Sequence, residues 1–242
     1  MTSTLRTRAV ALAAGLALAA GTADAQNLIH RYDLNGNFLD ALGGPTMVGH
    51  GGSFTATGYA FAANQGPSLE NAIGIDQYSI EMYFRMADVS GYRSLINFKN
   101  LSTDNGLYDH FDELVLYQSS QVAVSDNRFA DNTFAHLVVT RTAADDFRAY
   151  VNGALAFSYN DVSGTTEFTS ANRPIWFLND NGGEEPAGLL DFVRIYDGAL
   201  TQRQVTARYA ATVSAVPEPG TWALLGTGLL ALGAATRRRR TA

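Results

Sequence analysis

The central part of the chain alternates apolar and polar residues over short runs, which is the pattern of half-buried β-strands. The run 79–86 (SIEMYFRM) places its isoleucine, its phenylalanine and both methionines on one face, and its glutamate, tyrosine and arginine on the other. Turn-forming residues interrupt such runs about every ten positions. This pattern predicts an all-β domain in which two antiparallel sheets pack face to face.

Further runs predict the remaining elements of this sandwich. Apolar or alternating stretches at 114–117, 136–142, 147–151, 154–159, 175–178 and 189–196 are typical of strands. Asn152-Gly153 between two of them predicts a tight β-hairpin. Only residues 201–211 have a helical pattern, with Thr201 as the N-cap and with Val205 and Tyr209 four positions apart.

The two ends of the chain differ from this body. Arg6 and Arg8 precede fifteen uncharged residues at 9–23, and Ala23-Asp24-Ala25 follows them. This order predicts a signal peptide over residues 1–25, cleaved before Gln26. A membrane anchor is the alternative, although the run is short for a span.

The C-terminal segment 216–242 contains a second apolar run. Eighteen uncharged residues separate Glu218 from Arg237, and as a helix they reach about 27 Å, enough to cross the hydrocarbon layer. Trp222 would lie at one membrane interface, and the arginines would stay in the cytoplasm. These arginines are Arg237, Arg238, Arg239 and Arg240.

Composition narrows the function of the body, residues 26–215. The whole chain has 17 basic and 23 acidic residues, and its two ends hold six of the basic and two of the acidic ones. The body therefore has 11 basic and 21 acidic residues, a net charge of −10. Like charges repel, so this excess argues against nucleic acid as a partner. The absence of cysteine excludes disulfides, thiol catalysis and cysteine-bound zinc.

Three segments of the body resemble the laminin-G-like branch of the concanavalin A-like jelly rolls. Residues 29–40 resemble the opening strand and its Asp-Asn-Gly loop, residues 134–153 a hairpin, and residues 188–201 the closing strand and short helix. Phe134 stands where the family usually has tryptophan. The resemblance implies a two-sheet jelly roll, a fold that often binds glycans and in some members calcium.

The tail resembles the PEP-CTERM sorting signal of Gram-negative bacteria that make exopolysaccharide. The resemblance rests on the order of a Pro-Glu-Pro motif, an apolar span and an arginine cluster, the motif being Val216, Pro217, Glu218 and Pro219. It implies export, a transient transmembrane helix in the inner membrane, and cleavage near the motif by a membrane protease called an exosortase. It places the mature protein at the cell surface or in the extracellular matrix. A plain membrane anchor remains the alternative.

Oxygen-rich loops suggest one structural Ca²⁺ site, because calcium takes six to eight oxygen ligands. Asp191 alternates with Leu189, Val193 and Ile195, so on a regular strand it shares their apolar face and needs a partner there. That partner is a metal ion, an arginine or a set of backbone amides. The candidate ligands are Asp33, Asn35, Asn37, Asp40, Asp180, Glu184 and Asp191. The alternative is that these residues only form turns.

The chain offers aromatic and amide side chains for sugar recognition but little support for catalysis. Glucanases of this fold carry E-x-D-x-x-E on one strand, and the nearest stretch, residues 109–113 (DHFDE), lacks that spacing. Among the aromatic candidates Tyr78, Tyr83, Tyr92, Tyr108, Tyr117 and Trp176, we single out Tyr92, Tyr108 and Trp176; Asn100, Asp104, Asn105 and Asn127 are polar candidates. We therefore expect a non-catalytic protein that binds polysaccharide or mediates adhesion. A purely structural matrix protein, and after it a glycoside hydrolase or lyase, are the alternatives.

Overall fold

The computed structural model describes residues 26–74, 76–168 and 174–215, and within them the chain forms fourteen strands and one helix. The first seven strands are β1 Leu28–Tyr32, β2 Ser53–Thr55, β3 Gly58–Phe61, β4 Ser68–Leu69, β5 Tyr78–Met86, β6 Tyr92–Asn97 and β7 Gly106–His110. The next seven are β8 Glu113–Tyr117, β9 Gln121–Asn127, β10 Ala135–Arg141, β11 Asp146–Val151, β12 Ala154–Asn160, β13 Ile175–Phe177 and β14 Gly188–Tyr196. The helix, α1, is Gln202–Ala215.

The strands form two antiparallel sheets, which confirms the predicted jelly-roll sandwich. One sheet has the order β12-β11-β10-β5-β14-β3-β2, and β1 pairs with the far end of β14 as its eighth strand. The other has the order β4-β13-β6-β7-β8-β9. Strands distant in sequence are neighbours in both sheets, as in β5 beside β14.

The core lies between the two sheets, and its residues come from the predicted alternation. Ile80, Met82 and Phe84 of β5 are fully buried and share one apolar cluster with Leu107 and Leu116 of the other sheet. Each strand therefore has one face in this core and one face turned outward.

The hairpin between β11 and β12 forms where the sequence predicts it. Asn152 and Gly153 both have positive φ, at 51° and 78°, which is the conformation of a type I′ turn. The carbonyl of Gly153 accepts hydrogen bonds from the Gln202 amide at 2.7 Å and the Thr206 hydroxyl at 2.9 Å, so the turn also anchors α1.

Helix α1 packs on the outer face of the eight-stranded sheet. It begins at Gln202 and extends to Ala215, four residues beyond the predicted end. Thr201 and Gln204 bond to each other across the first turn, as in a capping box. Val205 is buried with Leu200 in a small cluster on this face.

A buried carboxylate lies in the sheet beneath helix α1. Glu81 has no exposed surface; it accepts hydrogen bonds from the Tyr196 hydroxyl, from His136 Nε2 at 2.9 Å and from Arg194 at 3.2 Å, and Arg208 of α1 lies 3.9 Å away. Burial alone would raise the pKa of Glu81, but these donors lower it below its usual value. The carboxylate is therefore charged and fully paired.

The predicted signal peptide, 1–25, and the sorting tail, 216–242, lie outside the described residues. In the described part of the chain, no helix combines the length and the apolar character needed to cross a bilayer.

Candidate functional site

Three tyrosines meet on the outer face of the six-stranded sheet. Because side chains alternate along a strand, Leu107 of β7 and Leu116 of β8 face the core, whereas Tyr108 and Tyr117 lie on the other side of the sheet, where Tyr108 is 1% exposed. Tyr92 begins the neighbouring strand β6. The register places Tyr92 opposite His110 and Tyr117 opposite Gly106, the two ends of β7, and the three rings meet over the middle of this strand, at Tyr108.

The rings of Tyr92, Tyr108 and Tyr117 stand nearly at right angles to one another. Tyr92 is 6.0 Å from Tyr108 at 87° and 6.0 Å from Tyr117 at 76°, and Tyr108 is 6.2 Å from Tyr117 at 75°. Three mutually perpendicular planes form the corner of a box. We call this corner the tyrosine pocket; Asp104 and Glu184 complete its lining, and it encloses about 50 Å³.

Neighbouring side chains fix two of the three walls. The Tyr108 hydroxyl donates to the buried Asp180 carboxylate at 3.1 Å. The Tyr92 hydroxyl accepts a hydrogen bond from the Gln121 amide at 2.7 Å, and the Tyr92 ring stacks on His110 at 4.0 Å. The pocket is therefore formed before any ligand arrives, which reduces the entropy cost of binding.

Three carboxylates, Asp104, Asp180 and Glu184, border the tyrosine pocket. Burial, reinforced by the charges of Asp180 and Asp104, raises the pKa of Glu184. Burial also raises the pKa of Asp180, although the Gly182 amide and the Tyr108 hydroxyl oppose the change. None of the ion pairs formed between described residues involves these three carboxylates.

A wider, polar cleft opens directly beside this pocket. It has a volume of about 360 Å³ and shares Asp104 and Tyr117 with the pocket. Its other lining residues are Thr103, Asn105, Ser119 and Asn181. Hydroxyl, amide and carboxylate groups in this number match the hydrogen-bonding needs of a sugar ring, and the volume lies in the usual range for a ligand site.

The structure brings together two of the three aromatic residues singled out from the sequence. Tyr92 and Tyr108 line the tyrosine pocket. Trp176 does not; it stacks on His50 at 4.5 Å and donates its indole N–H to Asn100 at 2.9 Å. Tyr117 completes the pocket, and the signal for it was the hairpin of β7 and β8, which places it on the same face as Tyr108.

Two of the predicted calcium ligands in the opening loop, Asp40 and Asn37, accept hydrogen bonds from nearby backbone amides. Asp40 accepts hydrogen bonds from the amides of Arg31, Leu42 and Gly44 at 2.8, 3.0 and 2.8 Å and pairs with His30 Nδ1 at 2.7 Å. Burial would raise the pKa of Asp40, yet these bonds lower it. Asn37 accepts a hydrogen bond from the Leu39 amide at 2.8 Å, as in an Asx turn.

The expectation that β14 alternates strictly between its two faces is wrong at Asp191. The pairing of β14 with β5 shifts between Leu190 and Phe192, so Asp191 occupies a β-bulge. Leu190 and Val193 face the core, whereas Leu189 is not part of the core cluster and Asp191 is half-buried on the outer side. The extra residue of the bulge reverses the faces that a regular strand would give.

Three predicted calcium ligands converge beside this bulge. Asp33, Asn35 and Asp191 line a cleft of about 310 Å³ together with Arg194 and Arg208. Burial raises the pKa of Asp191 to about 6, and the charge of Arg194 opposes that shift. Asp33 pairs with Arg31 at 2.8 Å.

The calcium site stays a prediction. Asp180 and Glu184 lie at the tyrosine pocket, far along the chain from the opening loop that holds Asp33 and Asp40. Across the described ranges, no three His, Asp or Glu side chains are grouped as a metal ion would require. Asp33, Asn35 and Asp191 line one cleft, whereas Asp180 and Glu184 lie at the tyrosine pocket.

A two-sheet sandwich with this strand order is the architecture of concanavalin A-like domains. Comparison with family models matches residues 54–206 to the laminin-G-like family of the concanavalin A-like lectin/glucanase superfamily, and the chain belongs to it. A second family model, the PEP-CTERM protein-sorting motif, matches residues 215–240. Both confirm the resemblances drawn from the sequence. No curated protein matches this chain.

Solved structures show the same fold at low sequence identity. Domain 4 of AbnA, a GH43 extracellular arabinanase from Geobacillus stearothermophilus solved with arabinotriose, aligns with a TM-score of 0.56 and 21% identity over 75% of this chain and 98% of that domain. The binding domain of botulinum neurotoxin serotype D gives 0.58 and 13% over 76% of this chain and 51% of that one. A Trypanosoma rangeli sialidase gives 0.59 and 15% over 75% and 32%.

Proposed function

We propose that this protein is a non-catalytic glycan-binding protein that reaches the cell surface through its sorting signal. The observation that carries this proposal is the tyrosine pocket with its polar cleft on the outer face of the six-stranded sheet. Aromatic rings cover the apolar faces of sugars, and planar amide and carboxylate groups orient the hydroxyls. The neighbouring structures include an arabinanase domain solved with arabinotriose and a toxin domain solved with N-acetylneuraminic acid, which supports the choice of carbohydrate.

The sorting motif supports the cellular part of the proposal. A PEP-CTERM motif at 215–240 implies export and processing by an exosortase-type protease. The body carries a large negative charge, so a neutral or cationic polysaccharide suits it better than an anionic one. We infer a role in adhesion or in holding polysaccharide at the envelope or in the matrix, and the inner membrane is involved only transiently.

A glycan array probed with the full-length protein tests the proposal. Tyr117→Ala removes one wall of the pocket and should weaken binding at least about tenfold, as expected for an aromatic contact in a binding hot spot. Phe134→Ala is the matched control, because Phe134 stacks on Tyr83 at the outer face of the opposite sheet. Binding that survives Tyr117→Ala, or an array with no binding at all, would contradict the proposal. The second outcome would favour a purely structural matrix protein.

The glycosidase alternative needs its own measurement. The arabinanase and sialidase neighbours show that the fold occurs within enzymes. Incubating the protein with the exopolysaccharide of its host and assaying the release of reducing sugar distinguishes the two classes. We expect no release above that of a heat-denatured control.

A further inference from the structure

The tyrosine pocket is too small for the sugar ring that its neighbouring cleft accommodates. It encloses about 50 Å³, against about 360 Å³ for the cleft. Ligand pockets that take a whole ring system are usually some hundreds of Å³. The pocket therefore suits a small substituent that projects from a ring bound in the cleft.

The three rings favour a positive substituent. An aromatic ring carries partial negative charge on its face, and a cation within about 6 Å of the ring centre is attracted to it. Tyr92, Tyr108 and Tyr117 stand at 75° to 87° to one another. A group seated in this pocket would contact all three rings, as in the aromatic cages that hold ammonium groups.

The carboxylates favour the same charge. Asp104 and Glu184 line the pocket, and Asp180 lies directly behind Tyr108. Burial is the largest cause of the raised pKa of both Glu184 and Asp180, and the charges of neighbouring carboxylates, which repel one another, add to it. Among the described residues, no arginine, lysine or histidine forms an ion pair with any of them. A bound cation would relieve this repulsion.

We propose that the tyrosine pocket binds the protonated amino group of an amino sugar whose ring lies in the adjoining cleft. The proposal rests on the proposed function, since it takes the cleft as a sugar site, and it names the ligand class: a polysaccharide with free amino groups. Uronic acid and sialic acid polymers are excluded from this site by the same three carboxylates.

The proposal implies that affinity falls at high pH. The amine loses its proton there, and its attraction to the rings and the carboxylates is lost with the charge. A neutral sugar has no such upper limit. The shape of the curve therefore separates an ammonium ligand from a sugar that binds only by hydroxyl contacts.

Calorimetric titration of the full-length protein with two matched probes tests the proposal. The probes are a glucosamine oligomer with free amines and the same oligomer fully N-acetylated, which is neutral. We expect the free-amine oligomer to bind at least about tenfold more tightly near neutral pH. Equal affinity for both would refute the ammonium site and leave glycan binding intact.

Variants of the pocket separate a built site from general attraction to an acidic protein. Glu184→Gln should remove most of the preference for the free amine. Tyr117→Ala keeps every charge and should also remove this preference, whereas Tyr117→Phe keeps the ring and should retain the preference. Asp104 is exposed, so Asp104→Asn removes a second negative charge from the pocket with little risk to folding. A preference that persists in Tyr117→Ala would overturn the proposal.

A third probe makes failure of this proposal distinguishable from failure of the proposed function. Tetramethylammonium has the charge of the ligand without any sugar, and its binding is followed by the NMR shifts of the tyrosine side chains. If it perturbs Tyr92, Tyr108 and Tyr117 while neither oligomer binds and the glycan array shows no binding, the cation pocket stands and glycan binding is wrong. If tetramethylammonium and the free-amine oligomer both fail to bind, the cation pocket is wrong, and the glycan array then decides the proposed function separately.

Discussion

Asp109 is a carboxylic acid enclosed in the sandwich, and it should make the protein less stable as the pH rises. It lies on β7, has no exposed surface, and neither of its oxygens finds a hydrogen-bond partner of normal geometry among the described residues. Burial and the nearby Asp112 raise its pKa to about 8, while Arg93 and the Asp112 amide oppose the rise. The protonated form is therefore favoured in the folded state at neutral pH.

The sign of the effect follows from this raised pKa. The folded protein holds the proton more tightly than the unfolded chain, whose aspartates titrate near 3.8. Stability is therefore fully present below pH 3.8, declines as the pH rises toward about 8, and then levels off. Each unit between the two pKa values corresponds to about 1.4 kcal/mol. Because water drawn in on ionisation offsets part of this cost, we expect a loss of about 2–4 kcal/mol.

Asp109→Asn removes the titration and keeps the shape of the side chain. Urea unfolding at several values between about pH 4 and pH 9 should show that the variant loses about 2–4 kcal/mol less than the wild type over this range. Glu70→Gln, at an exposed carboxylate, is the control and should follow the wild type. Parallel curves for the wild type and Asp109→Asn would refute the reasoning, because the pH dependence would then arise elsewhere.

Three further changes test other parts of the structure. Glu81→Ala should cost about 3–5 kcal/mol in urea unfolding, since it leaves the buried cationic and hydroxyl partners of this carboxylate unpaired. Gly188→Ala should cost more than about 2 kcal/mol, because its Cβ would overlap the Arg85 carbonyl oxygen, whereas Gly36→Ala meets open space and should cost less despite its positive φ. If calcium is structural, EGTA should lower the melting temperature; an unchanged melting temperature, with no calcium bound in equilibrium dialysis, would remove that prediction.

The sequence predicted the elements whose pattern is local. The alternation in 79–86 and the Asn152-Gly153 turn depend on a few neighbouring residues, and both appear in the structure as predicted. Helix α1 extends to Ala215 instead of ending at residue 211, because its last turns have little apolar periodicity from which an end could be recognised.

The prediction for Asp191 failed because a bulge leaves no mark in the alternation. One extra residue in β14 reverses the faces of all residues on one side of it relative to the other. Pairing with β5 decides where the extra residue sits, and β5 is about a hundred positions away in the chain. A single sequence without that pairing gives the faces of a strand only up to its first bulge.

The tyrosine pocket, the candidate functional site, shows the same limit of sequence-based prediction. Tyr92 and Tyr108 are candidates because aromatic residues bind sugars, but many other aromatic residues in this chain meet the same criterion. What distinguishes them is a set of contacts between separate elements: the register of β6 and β7, the loop that carries Asp180, and Gln121 on β9. Trp176 meets this criterion as well, but it lies outside the pocket.

On the proposed function, attachment and glycan binding involve opposite faces of the sandwich. Helix α1, after which the sorting motif continues, packs on the outer face of the eight-stranded sheet. The tyrosine pocket opens on the outer face of the other sheet, on the far side of the core. Glycan binding at this pocket should therefore not compete with attachment through the tail. Full-length protein reconstituted in vesicles should then bind a soluble free-amine oligomer as tightly as the detergent-solubilised protein does, and a large loss of affinity on reconstitution would contradict this arrangement.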